Sequence, residues 1–262
     1  MVKFVNHGAL GKMGRTIARL ASANQTFKMT SAVDAMAASL PLSEGISGDA
    51  LFPDIQSVNF KEVDVLIDFS IPEASMSILK VCRDRGIPMV IGTTGFTAEE
   101  EAVIRETAKK IPILKSSNMS IGVNLLFALT KIAAQALQNR SFQAEVMEIH
   151  HGKKKDAPSG TAKSLEKILL EAMSLDKSVV YGRSGMVGER KADELGIFAL
   201  RGGDVVGDHT VFFLGEGERL ELKHQAVNRD IFARGALDAA AFLKGKIPGM
   251  YSMAEVLNIG NS

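Results

Sequence analysis

Residues Glu145 to Ala162, EVMEIHHGKKKDAPSGTA, hold more candidate chemistry than any other stretch of the chain. His150 and His151 are adjacent, and neighbours on a strand point to opposite sides, so they make a poor metal clamp. No Cys or third His stands nearby at ligand spacing, which leaves proton handling as the better assignment and no metal. Lys153, Lys154 and Lys155 follow, then the turn Asp156-Ala157-Pro158. Ser159-Gly160-Thr161 next opens the apolar-periodic run AKSLEKILLEAM, which predicts a helix. Its N-terminus, built from small residues, suits an anion, so a carboxylate is expected against Ser159, Gly160 and Thr161. A lysine triplet alone is usually a solvated loop, and a lone histidine is more often structural. Two histidines, a lysine run and an anion site within one turn point to a reaction centre.

Several elements must position this loop. Before the histidines the chain alternates, Val146 and Ile149 apolar against Glu145 and Glu148 polar, so a strand end delivers His150 and His151. Upstream, VNLLFALTKIAAQAL from Val123 to Leu137 is apolar on a wide helical face and reads as a buried helix. At the N-terminus, Val2 to Asn6 is a strand feeding GALGKMG, followed by the amphipathic RTIARLAS. A strand, glycine turn and helix of this kind bring backbone close to a pyrophosphate, here at Gly8, Ala9, Leu10, Gly11, Lys12 and Met13. The glycine spacing differs from the usual GxGxxG, because Leu10 takes a glycine position. A second strand, Met29 to Val33, ends in Asp34, where a dinucleotide fold places the acid that holds ribose hydroxyls.

Residues 35 to 62 have weak periodicity and predict a long loop with a short helix. DVLIDFS, a helix from Pro72 to about Arg85 and PMVIGTTGF then repeat the strand–helix–strand pattern. Such alternation predicts an α/β, Rossmann-type doubly wound parallel sheet, with ligands at the carboxyl ends of its strands. Gly92-Thr93-Thr94 and Ser116-Ser117-Asn118-Met119 fall at such ends, where both also read as plain turns. Beyond residue 175, ELGIFALRGG, DVVGDHTVFFLG and GERLELKHQAV alternate as strands and predict an antiparallel block within a second, α+β domain whose sheet is mixed or antiparallel. His209 and His224 lie there beside apolar residues and read as structural. A last helix is expected near Ile231 to Lys244.

Whole-chain quantities narrow the function. At 262 residues and 46% hydrophobic, the chain can bury a substantial core. A net charge of +1 gives nucleic acid or a membrane surface no electrostatic support, so a small-molecule partner is expected. One cysteine, Cys82, excludes an internal disulfide. VKFVNHG is too short for a signal h-region, and no apolar run suffices to span a bilayer, so a cytoplasmic location is expected.

EIHHGKKKDAPSGTA resembles the signature of the dihydrodipicolinate (4-hydroxy-tetrahydrodipicolinate) reductase family: two histidines, two variable residues, a lysine, a variable residue, then Asp-Ala-Pro-Ser-Gly-Thr-Ala. The family's GxxGxxG turn, its GTTG turn and SIGVN at Ser120 to Asn124 are similar too, so the likeness runs over nearly the whole chain. It implies a dinucleotide domain from 1–122 and 231–262, and a substrate and oligomerisation domain from 123–230. It implies NAD(P)H-dependent reduction of a small cyclic dicarboxylic imine on the way to diaminopimelate and lysine, in a homotetramer. On the pattern, His150 and Lys154 take the proton-donor roles, while His151, Gly160 and Thr161 contact substrate. The GTTG turn and the segment before SIGVN then lie along the nicotinamide half of the cofactor, and Arg229 sits near the position where the family has an arginine that can meet a substrate carboxylate. Some members have an arginine after the ribose-binding acid, whereas this chain has Asp34-Ala35-Met36. NADH is therefore expected to be favoured, with NADPH admitted through Lys12. Two alternatives are another Rossmann oxidoreductase acting on an imino or amino acid, and a dinucleotide sensor without turnover. Neither accounts for His150, Lys154 and the anion-binding helix start standing together.

Overall fold

The structure, a computed structural model, describes residues 1–39, 41–42, 44–174 and 178–259. The final residues of the expected tail, 260–262, and positions 40 and 43 of the expected long loop lie outside them. The chain forms two compact units, one of Met1–Ile121 with residues 230–259, the other of Gly122–Arg229.

In the first unit β1 (Val2–His7), α1 (Lys12–Ser22), β2 (Phe27–Val33), β3 (Leu51–Phe52), β4 (Val65–Asp68), α2 (Pro72–Arg85), β5 (Met89–Ile91), α3 (Ala98–Ala108) and β6 (Pro112–Lys115) follow in order. The second unit holds α4 (Ile121–Leu137), whose first residue belongs to the first unit, then β7 (Gln143–His150), α5 (Gly160–Ala172), β8 (Ser178–Val180), β9 (Glu194–Arg201), β10 (Gly207–Leu214) and β11 (Arg219–Ala226). The chain then returns to the first unit with α6 (Asp230–Leu243), β12 (Gly249–Tyr251) and α7 (Met253–Val256).

The first sheet has the order β12-β6-β5-β4-β1-β2-β3, with every pairing parallel. Its central strands VLID and MVI are buried throughout, as a sheet covered on both faces requires. Ile17, Leu20 and Leu243 pack on one face with Phe4 and Ile67, and Ile78, Leu79 and Ile104 pack on the other with Val5 and Leu66. Each such side chain contributes about 1.5–3 kcal/mol on burial. Local signals set the boundaries: Pro72 starts α2, Gly86 ends it at φ 69°, and Thr97 with Glu100 closes a capping box on α3.

The second sheet runs β11-β10-β7-β9-β8. The sheet is mixed, as the expectation of a mixed or antiparallel sheet allowed: β10 is antiparallel to β7 and β11, while β7–β9 and β8–β9 are parallel. α5 lies in the connection between β7 and β9, and a crossover returning through a helix makes its flanking strands parallel. Leu165 and Leu169 of α5 meet Val146, Ile197 and Phe213 in the core. Between 35 and 62 the long loop carries two short 3-10 turns, Gly48–Ala50 and Ile55–Ser57.

Candidate active site

The strand order of the first sheet reverses beside β1, which is flanked by β2 and β4, and ligands bind at the carboxyl ends of such a switch point. A cavity of about 620 Å³ lies there, with Gly8, Gly11 and Asp34 on one side and Phe69, Ser70 and Ile71 on another. Gly8 has φ +76°, and a Cβ on it would fall 2.4 Å from the Phe69 carbonyl oxygen. A Cβ on Gly14 would fall 2.2 Å from the Gly8 oxygen, so its lack of a side chain lets α1 close on the turn. The first N–H groups of α1 have no intrahelical acceptor and supply the positive end a pyrophosphate needs. Asp34 is fixed by two backbone donors, Leu10 N–H at 2.8 Å on Oδ2 and Met36 N–H at 2.9 Å on Oδ1. It keeps lone pairs for ribose hydroxyls. These features fit a dinucleotide.

Several expected cofactor residues offer backbone rather than side chain. Ala9 and Leu10 are buried with Ala18 and Ala32, and Met119 is buried in the core beside Ala236. The Thr93 hydroxyl is committed internally, donating to Asp68 at 2.8 Å and accepting from Ser70 N–H at 2.9 Å. Buried Asp68 also accepts from His7 Nδ1 at 2.7 Å and from the hydroxyls of Ser70 and Ser75, which joins the ends of β1, β4 and β5. Gly92, exposed Thr94, Ser116 and exposed Ser117 lie on the strand-end loops, where Ser116 Oγ donates to the Asn118 carbonyl at 2.7 Å.

In the second unit β7 ends at His150 and the chain turns at His151. Glu148 and His150, two residues apart on a strand, share a face. Glu148 is fully buried and accepts from His150 Nδ1 at 2.5 Å, from Ser159 N–H at 3.0 Å and from both Nη atoms of Arg201 at 2.8 Å. Burial alone would raise its carboxyl, but the bonds from Arg201, His150 and Ser159 outweigh that and hold it below the ordinary range. Burial pushes His150 down, Glu148 opposes the fall, and Lys154 and Arg201 add to it. Lys154 is half-buried, with Nζ 2.9 Å from Asp156 Oδ1, whereas Lys153 and Lys155 are exposed. His151 Nδ1 is buried and makes no hydrogen bond among the described residues.

Ser159 caps α5 by accepting from Ala162 N–H at 3.2 Å. Its own N–H is spent on Glu148, so the expected carboxylate contact narrows to Gly160 and Thr161, the first two helical residues. A Cβ on Gly160 would meet nothing within 4 Å, leaving that side of the helix start open.

Glu148 and Arg201 are the residues that pattern reading missed. Glu148, which the sequence marks only as polar, is fully buried. His209, expected to be structural, is buried beside these residues: its ring centroid lies 5.2 Å from that of His150, and its Nε2 lies 3.1 Å from Ser159 Oγ. Burial pushes His209 down to about 4, helped by His150. The two-residue spacing of Glu148 and His150 was a usable signal. Arg201 reaches His150 only through the β7–β9 register, which no local pattern announces. Arg229 is exposed beyond β11. Among the described residues no group of three or more His, Cys, Asp and Glu is placed to hold a metal ion, and no helix is long and apolar enough to cross a membrane.

Residues 2–119 match the family model described as dihydrodipicolinate reductase, N-terminus, and residues 122–257 that described as dihydrodipicolinate reductase, C-terminus. The 4-hydroxy-tetrahydrodipicolinate reductase of Aquifex aeolicus is 47% identical over 265 residues, covering 98% of this chain and 99% of that one. That of Syntrophotalea carbinolica is 43% identical, covering 99% and 100%. The fold is shared with a dipicolinate-bound dihydrodipicolinate reductase from Paenisporosarcina sp. TG-14, at TM-score 0.80, 23% identity and 97% and 98% coverage.

Proposed function

The chain belongs to the dihydrodipicolinate reductase family, and from that premise we infer how its own residues carry out the reaction. The activity is the NAD(P)H-dependent reduction of 4-hydroxy-tetrahydrodipicolinate to tetrahydrodipicolinate, in diaminopimelate and lysine biosynthesis. One proton and one reduced cofactor are consumed, and the 4-hydroxyl leaves as water. The bound dinucleotide supplies the hydride to the carbon that carried the hydroxyl.

The first unit is the dinucleotide-binding domain: the Gly8–Met13 turn and α1 hold the diphosphate, Asp34 the adenosine ribose, and the loops at Gly92–Thr94 and Ser116–Met119 the nicotinamide half. Asp34 repels a 2′-phosphate, so NADH is the preferred cofactor and NADPH the weaker one. The second unit binds substrate, with Gly160 and Thr161 on one carboxylate and half-buried His151 as a further contact. His150 and Lys154 handle protons. An ionised Glu148 only accepts, so the His150 proton sits on Nδ1 and Nε2 is bare in the neutral ring. Bare Nε2 takes the proton from the carbon between imine and hydroxyl, Lys154 protonates the departing hydroxyl, and His150 returns its proton after hydride addition. The enzyme works as a cytoplasmic homotetramer assembled through the second unit.

The observation that carries this assignment is that one buried carboxylate, Glu148, bonds both His150 and the cap of the anion-binding helix. The test supplies the aspartate semialdehyde–pyruvate condensation product enzymatically and follows oxidation of NADH and NADPH. Substrate-dependent oxidation of either supports the assignment, and no oxidation of either overturns it.

A further inference from the structure

We propose that Glu148 and Arg201 are the positioning pair of this reaction, fixing His150 in one tautomer and tying it to the loop that carries Lys154. The proposal rests on the roles of His150 and Lys154 given above. A carboxylate with no solvent exposure persists only where its lone pairs are taken up. Here Arg201 meets it two-pronged, Nη1 on Oε2 and Nη2 on Oε1, both at 2.8 Å. Each oxygen then receives one more donor. Oε2 takes His150 Nδ1 at 2.5 Å and Oε1 takes Ser159 N–H at 3.0 Å. Arg201 continues outward, with Nη2 also donating to the Asp156 carbonyl at 2.7 Å, and the Asp156 side chain lies 2.9 Å from Lys154 Nζ. Both proton-handling residues and the helix cap are therefore within two or three bonded steps of one ion pair.

The arrangement is set by the sheet. Glu148 and His150 share a face of β7, and Arg201 stands opposite His150 on β9 in parallel register. An ionised carboxylate cannot donate, so it selects the Nδ1–H tautomer and leaves Nε2 to the reaction. Gly207 leaves room for that nitrogen, since a Cβ there would lie 2.9 Å from Nε2. An imidazole held in the wrong tautomer loses its lone pair at the reacting edge, and the cost falls on turnover rather than on cofactor binding.

In Glu148→Gln the amide NH2 replaces one oxygen, so one Arg201 bond is lost, and the NH2 either donates to His150 Nδ1 and imposes the Nε2–H tautomer or faces the Ser159 N–H and releases the helix cap. The expected result is a fall in kcat of about 10²-fold with an NADH Kd changed less than about twofold. The Glu148→Gln/His150→Asn double variant should be no slower than His150→Asn, because Glu148 acts through His150. Should Arg201, left without its counter-charge, prevent folding, Glu148→Gln/Arg201→Gln removes both charges and should show the same loss in kcat. Nitrogen-15 NMR of the unmodified enzyme needs no variant, and should find His150 protonated on Nδ1 and bare on Nε2. An Nε2–H tautomer, wild-type kcat in Glu148→Gln, or losses that multiply in the double variant would each overturn the proposal. A His150→Asn variant with wild-type turnover would instead remove the catalytic role of His150, and the NMR tautomer separates that outcome from failure of the positioning pair.

Discussion

The Lys154 ammonium lies 2.9 Å from the Asp156 carboxylate and is half-buried, while its neighbours Lys153 and Lys155 are exposed. Three lysines that look equivalent in sequence are thus set apart by one turn of backbone. Lys154→Ala should fold normally and lose about 10²–10⁴-fold in kcat, whereas Lys153→Ala and Lys155→Ala should be mild. Steady-state kinetics on the three purified variants checks this, and equal losses in all three would contradict it.

The helix start of α5 should bind a dicarboxylate. Pyridine-2,6-dicarboxylate, a planar mimic of the substrate, is expected to compete with it. Ser159→Ala removes the cap on Ala162 N–H and the bond to His209, and should weaken the mimic without altering NADH affinity. Calorimetric titration in the presence of cofactor reads both, and a mimic that does not bind the unmodified enzyme would sink the assignment of Gly160 and Thr161.

Cofactor choice should turn on position 35. Ala35 is exposed on the cavity wall beside Asp34, so an arginine there can meet a 2′-phosphate with two parallel bonds. The unmodified enzyme is expected to favour NADH in kcat/KM, by a margin narrowed by exposed Lys12 in the glycine turn, and Ala35→Arg should move the ratio toward NADPH. A native preference for NADPH would contradict the role of Asp34.

Acid should destabilise the fold through His209. Its folded value of about 4 lies below the ordinary 6.5, so between those limits the unfolded chain binds more protons and stability rises with pH. The contribution is complete above pH 6.5 and is lost as pH falls toward 4, on the order of 3 kcal/mol at most. In urea unfolding at a series of pH values, His209→Gln should flatten this part of the profile, and an unchanged slope would show that His209 does not titrate on unfolding.

The sequence made the parallel sheet legible because strand, glycine turn and helix recur with their own stop signals, from Gly8 to Gly86 and Thr97. It also exposed the histidine–lysine loop, since those residues lie close together in the chain. It could not expose what depends on register. Arg201 is distant in sequence from Glu148 and meets it only because β9 pairs parallel with β7, a partnership that no local pattern in either strand announces. Glu148 carried no assignment in the sequence beyond a polar strand position, because residue type alone cannot distinguish a solvated carboxylate from one buried against arginine. Ala9, Leu10 and Met119 lie on strand-end loops but turn their side chains into the core, which residue type at a loop position does not announce.

The most direct test of the catalytic assignment is turnover of the condensation product by the unmodified enzyme and by His150→Asn/Lys154→Ala, alongside binding of NADH and pyridine-2,6-dicarboxylate to both. The expected result is substrate-dependent NADH oxidation by the first, and for the double variant a loss of at least about 10²-fold in kcat with both ligands still bound. Retained turnover in the double variant would contradict the account.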